Sequence, residues 1–418
     1  MRMTLRVVAT IVTAAPLAAQ ATAPLQPLTL AEARARARQV SPEIVAARQA
    51  VAAAAGRERQ VGAWSNPTLA YGREQTSRAG ETNSQNMLVL EQPLEIGGQR
   101  AARRRVAGLQ REAAEARLAA TVVRVNYEVA RAYAAGVAAQ RRAALSGEAA
   151  QAFGSARRVS QARLAGGDVS GYQHRRLLLE ATRYATLQSE ALVARDSALR
   201  ALSLLIGGSI RHDATGKLAL ADTLTPAPLS IPGDSLVASA LRNRPDLRAI
   251  QLEADAATAN VRLAGSERIP TPVLTGGYKG EHLATGESLH GFVAGVSLPL
   301  PLWDRRGGAV AAARAEVARQ AAELELARRQ SVREVTDAYA SHQALAGRLA
   351  GLEGQLGEEA RKAREAAEAA YAEGEISLLE WLDSVRAYQE AEGTYATLWA
   401  EYIARRAALE RATGATLF

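Results

Sequence analysis

Residues 28–207 and 234–414 keep a nearly constant register against one another, so the chain reads as one unit made twice. Pro42 and Pro67 stand 203 positions before Pro245 and Pro270, while Pro93, Leu94 and Tyr133 stand 206 before Pro299, Leu300 and Tyr339. Gly167, Ser170 and Gly207 stand 207 before Gly374, Ser377 and Gly414. Unrelated segments do not hold a register this long, and a duplicated unit builds a quasi-symmetric wall more readily than one pocket.

Ala, Arg, Glu and Gln dominate the 418 residues, a composition that favours long helices. Residues 1–21 carry Arg2 and Arg6, then the apolar run from Val7 to Leu17, then Ala19-Gln20-Ala21. This is the order of a cleaved secretory signal peptide. Beyond it no apolar stretch approaches the ~20 residues of a membrane-spanning helix. The chain has no Cys, which removes disulfides, thiolate metal ligands and the acceptor for a lipoprotein anchor, so no lipidation is expected. The formal charge is +8, but both signs alternate along helical stretches without basic clusters or interleaved aromatics, and nucleic acid is not an expected partner.

Each unit, 22–207 and 234–418, is expected to open with a helix, from Leu28 to about Trp64 and from Asp234 to about Glu267. Two-stranded β-hairpins follow over 68–96 and 273–302. The clearest strand has Phe292, Ala294, Val296, Leu298 and Leu300 on one face, with period two. Four strands cannot close a barrel of useful width, and an open sheet leaves unpaired edges. Long helical hairpins over 98–207 and 305–414 come next. Their ascending helices, to Leu164 and Tyr371, lack Pro and would each reach about 100 Å at 1.5 Å per residue. Apolar residues recur there at coiled-coil spacing: Leu118, Val122, Val125 and Val129 in the first; Val332, Val335, Tyr339, Leu345, Leu349, Leu352 and Leu356 in the second. The linker 208–233 is unpatterned.

The two helical turns share a chemistry. Gly167 and Gly374 suit the left-handed position that closes a helix. Ser170 with Gln173, and Ser377 with Glu380, have capping-box spacing. His174, His212, His282, His290 and His342 show no metal-ligand spacing, and no phosphate-binding loop is present. No catalytic constellation, cofactor or metal site is expected.

Together these features resemble the TolC family of outer-membrane efflux ducts, over nearly the whole mature chain. Its most specific pieces are residues 91–100, EQPLEIGGQR, and 374–383, GEISLLEWLD, which look most like the CzcC branch serving heavy-metal pumps. The resemblance implies a mainly α fold with a small β part. In it, three chains of four strands close a 12-stranded transmembrane barrel above a helical periplasmic tunnel. It implies a homotrimer in the outer membrane, passively conducting metal cations or small toxic molecules from an inner-membrane pump of the resistance-nodulation-division type through a periplasmic adaptor. Phe292, Val296 and Leu298 would then face lipid.

Resemblance also implies a periplasmic gate at Glu380 and Asp383, with Tyr371 retained beside it. Three copies of each acid would attract cations, and mutual repulsion would raise some of their pKa values. The first-unit equivalents are Gln173 and Arg176, so one helix pair per chain would carry the acidic ring. Adaptor docking is implied at the tips, by Gly167, Asp168 and Ser170 and by Gly374, Glu375 and Ser377. A duct for drugs or for type I protein secretion shares the same pattern. A soluble periplasmic coiled-coil scaffold is the alternative from another class.

Overall fold

A computed structural model of the protein describes residues 27–208, 220–221, 229–352 and 356–417. The expected signal peptide, most of the linker and His212 lie outside the described residues.

Each unit opens with two helices in place of the expected one: α1 (Leu30–Val40) and α2 (Pro42–Val61), then α5 (Gly233–Asn243) and α6 (Pro245–Ser266). Pro42 and Pro245 cause the breaks. A proline has no N–H to donate to the preceding turn but suits the first turn of a new helix, and both stand there. Thr29 opens α1 with a capping box to Glu32.

The strands are β1 (Thr68–Arg78), β2 (Glu81–Pro93), β3 (Val273–His282) and β4 (Ser288–Ser297), forming one antiparallel sheet in the order β1-β2-β3-β4. The second hairpin therefore stops short of Pro299, and the first ends at Pro93. β1 and β2 join through Ala79 and Gly80, both at positive φ, the two-residue turn whose twist matches the strands. In the duplicate halves β2 pairs with β3, so the two hairpins fuse into a single sheet.

From the sheet run the long helices α3 (Gln99–Gly166) and α4 (Gly171–Leu205), and α7 (Gly307–Leu352), α8 (Leu356–Glu373) and α9 (Leu378–Thr413). α3 is continuous as expected, 68 residues, or about 100 Å. The second ascending helix is described as two, on either side of residues 353–355.

The principal core joins α1, α3, α4, α7 and α9 through Val125, Val129, Tyr133, Leu202, Leu345, Leu349, Leu398 and Tyr402. Val335 belongs to the seam as expected, but Val332 turns outward and is exposed. The Tyr133 hydroxyl lies 2.8 Å from the Leu28 carbonyl and 2.6 Å from that of Ala221, pinning the linker to α3. In the second unit Gln343 holds the Leu229 backbone in the matching place, its amide donating to the carbonyl at 2.8 Å.

Candidate functional site

The two ends of the molecule carry the residues singled out by sequence. At the sheet end, register places Tyr71, Leu88, Tyr278 and Phe292 in one cross-strand row. The next row on that face is Leu69, Leu90, Gly276 and Ala294, and the third holds Gln92, Leu274 and Val296. All the large apolar side chains of these rows are exposed, Phe292 at 86%. Leu298, Leu300, Leu302, Ile269, Trp64 and Trp303 continue the exposed apolar surface below the sheet. The opposite face is mixed, with the rows Thr68-Glu91-Thr275-Gly295, Ala70-Val89-Gly277-Val293 and Gly72-Met87-Lys279-Gly291.

Each large side chain on the apolar face would gain about 1.5–3 kcal/mol by leaving water. No helix of the chain packs on the sheet among the described elements. Strands of 10–13 residues match the ~9–11 needed to cross a bilayer. The edges β1 and β4 stand open, with one side of each unpaired. Gly277 marks a close approach between strands. A Cβ there would lie 2.6 Å from Val89 Cγ1 and would strike the Leu88 carbonyl, so the position needs glycine for the close approach of the backbone.

At the other end the helical turns are built as the spacing implies. Gly167 and Gly374 are left-handed, at φ 86° and 89°. Asp168 N–H donates to Arg163 O at 2.9 Å, and Glu375 N–H to Ala370 O at 2.8 Å. Both capping boxes form, Ser170 with Gln173 and Ser377 with Glu380. Asp168, Ser170, Glu375 and Ser377 are exposed.

Behind the turns lies an aromatic cluster. Phe153 stacks on Tyr184 with centroids 4.3 Å apart and meets Trp381 edge-on at 4.9 Å, while Tyr371 stacks on Trp381 at 5.2 Å. Tyr371 is only 6% exposed, its ring packed inside the tip of its own chain. Burial pushes its hydroxyl pKa up. Across the two hairpins Arg163 donates to Ala372 O at 2.8 Å and Arg386 to Glu180 Oε1 at 2.9 Å.

Glu380 and Asp383 are both exposed on α9. The Glu380 carboxylate accepts the Ser377 backbone N–H at 2.7 Å, and that bond, with the Ser377 hydroxyl, holds its pKa below the usual carboxylate value. Within one chain the direction is thus opposite to the rise expected from mutual repulsion. Asp383 is free of any cap, with 66% of its side chain exposed and Arg386 at 3.8 Å. Glu390 and Glu401, which sequence reading passed over, are exposed on the same helix at intervals that continue the 380–383 face. The signal was available in the phase of α9: Leu382, Val385 and Tyr388 are inward, so 383, 387 and 390 are outward.

A model described as outer membrane efflux protein matches residues 236–415. A nickel-cobalt-cadmium resistance protein, NccC, of Alcaligenes xylosoxydans xylosoxydans is 30% identical over 283 residues, covering 66% of this chain and 62% of that protein. The cobalt-zinc-cadmium resistance protein CzcC of Cupriavidus metallidurans is 28% identical over 243 residues, 58% of this chain and 56% of its own length. The matched region thus spans less than two thirds of either relative. Among solved structures, the Campylobacter jejuni CmeC outer membrane channel superposes with a TM-score of 0.75 at 17% identity, covering 93% of this chain and 86% of that one. That likeness establishes the fold.

Proposed function

We propose that this chain, which belongs to the outer membrane efflux protein family, is the exit duct of a tripartite efflux system. Three copies close their sheets edge to edge into a 12-stranded barrel in the outer membrane, and their helical hairpins form the periplasmic tunnel. The observation that carries this reading is the sheet itself. Its two edges are open, and consecutive rows of one face, from Leu69 and Tyr71 across to Phe292 and Val296, expose large apolar side chains before the face turns polar at Arg73, Asn86 and His290; water tolerates this badly and closure within lipid resolves it. Phe292, Val296 and Leu298 then meet acyl chains.

The proposed cargo is metal cations. The named relatives are metal-resistance proteins, and the outward face of α9 presents Glu380, Asp383, Glu390 and Glu401. Conduction of this kind needs no catalysis, so transport energy comes from an inner-membrane pump. A periplasmic adaptor docks at the two tips of each chain, around Gly167-Asp168-Ser170 and Gly374-Glu375-Ser377. Two similar tips per chain offer six quasi-equivalent sites on a trimer. The units 22–207 and 234–418 are the repeats that create them, after removal of residues 1–21.

Membrane fractionation with native mass determination in detergent tests the duct. An outer-membrane trimer that dissociates on boiling supports it, and a soluble periplasmic monomer overturns it.

A further inference from the structure

Just beneath the sheet, between the last turn of α2 and the first turns of α3, lies an open cavity of about 490 Å³ lined by Glu58, Arg59, Gly62, Arg100 and Arg104. The charges around it are unbalanced. Glu58 is committed elsewhere, its carboxylate accepting from Arg111 Nε at 2.8 Å. Arg100 is held by the end of α2, donating to Gly62 O at 2.6 Å, and its guanidinium lies 4.6 Å from the ring centre of Trp64. Arg59 and Arg104 are exposed and form no ion pair with any described residue.

This arrangement works against the local helix. The N-terminal end of a helix carries partial positive charge and favours acids in its first turn. α3 has no acid there, and Arg100, Arg103, Arg104 and Arg105 crowd its first two turns. Only Arg103 is offset by a carboxylate, that of Glu95 at 2.6 Å. Local rules are broken where a function demands it, and an unneutralised cluster at a helix N-terminus suits an external anion. Gly62 contributes room. A Cβ there would stand 3.1 Å from Arg104 Cδ, so a larger residue would displace that side chain from the wall.

The neighbourhood identifies the anion. Trp64 is 60% exposed, Ile96 and Ile269 are exposed beside it in the chain's path, and the apolar sheet face begins immediately above at Leu69. Aromatic side chains with one wet end settle at the boundary between headgroups and acyl chains. We infer that the Arg59-Arg100-Arg104 cavity binds the phosphodiester of an anionic phospholipid in the periplasmic leaflet, with Trp64 against the upper acyl chain. The inference rests on the outer-membrane reading above. It adds a lipid-specific site at the foot of each barrel segment.

The test is native mass spectrometry of the purified trimer, titrated in detergent with phosphatidylglycerol or with phosphatidylethanolamine. Phosphatidylglycerol should be retained in preference. Each of Arg59→Gln and Arg104→Gln should weaken that retention by about fivefold, the scale of one basic residue at an anionic lipid surface. Arg105→Gln, also exposed but outside the cavity wall, should leave it unchanged. Equal retention of both lipids by the parent protein, or undiminished phosphatidylglycerol in both single variants, would overturn the site. Displacement of the lipid by equimolar inorganic phosphate would assign the cavity to a free anion and overturn the lipid. A trimer blind to headgroup sinks only this inference, whereas recovery of a soluble monomer sinks the outer-membrane reading itself.

Discussion

Arg163, four residues before the first tip glycine, donates to the carbonyl of Ala372, two residues before the second, at 2.8 Å. Its guanidinium also lies 5.8 Å from the ring centre of Tyr371. The two hairpin tips of one chain are therefore fastened to each other, and not only packed.

Arg163→Ala should loosen that fastening. An exposed hydrogen bond of this kind is worth about 1 kcal/mol net, so the expected effect is confined to the tips: faster amide exchange at residues 372–378 and a higher conductance in a planar bilayer, with trimers intact. Unchanged exchange at those amides would show the bond to be incidental.

The Glu380 cap gives a pH dependence with a definite sign. Its folded pKa is depressed below the ordinary 4.5 by the Ser377 N–H, so the cap's contribution is fully present above that value. It is lost as pH falls below 4.5 through the folded value. Amide exchange at Ser377, corrected for intrinsic pH effects, should rise in that window. Glu380→Gln should flatten the response while keeping the cap, since Gln173 performs the same task at the first tip.

Charge on α9 can be separated from capping in the same way. Asp383→Asn with Glu390→Gln removes two exposed carboxylates that support no cap, and the expected outcome is reduced cation preference of the reconstituted trimer at unchanged stability. Identical reversal potentials in parent and variant would remove the acidic face from the conduction pathway.

Trp381 is 1% exposed and contacts both Phe153 and Tyr371. Truncation to Ala should cost about 3–5 kcal/mol locally, seen as protease cleavage within the second tip while heat-resistant trimers persist. A protected tip would mean that Phe153 and Tyr184 suffice.

Gly277→Ala should act at the opposite end. The new methyl would press on Val89 and the Leu88 carbonyl, so β2 and β3 would be forced apart at that point and the yield of trimer should fall. Normal trimer yield would show that the strands can part there without consequence.

Much of this was legible in the residues because the cues were local. Gly167 and Gly374 with Ser170 and Ser377 specify their turns within a few positions, and both turns form as their spacing implies. The alternation Phe292, Ala294, Val296 likewise reports one face of one strand, although it runs on in the sequence to Leu298 and Leu300, beyond the strand's end at Ser297. One helix is expected across Pro42 and one across Pro245, yet each proline opens a new helix, because it has no N–H to continue the preceding one. What else escaped needed information from elsewhere in the fold. The burial of the Tyr371 ring within its own chain follows from the phase of α9, which brings Trp381 beneath it ten positions later. Val332 satisfies the heptad arithmetic but falls on the solvent side, because α7 meets its neighbours along a narrower seam than the repeat suggests. Glu58 and the arginines of α3 meet only in three dimensions.

The open strands β1 and β4 also have a genetic consequence. Each chain of the proposed trimer must offer two sound edges, one to each neighbour, and no chain can compensate for a damaged edge in another. A chain with a proline in the middle of β4 would therefore not be silent beside a normal copy. It would enter mixed assemblies through its intact β1 edge and spoil most of them, so loss of function at the sheet edge should be dominant, whereas loss at a tip, where six sites share the load, should be recessive.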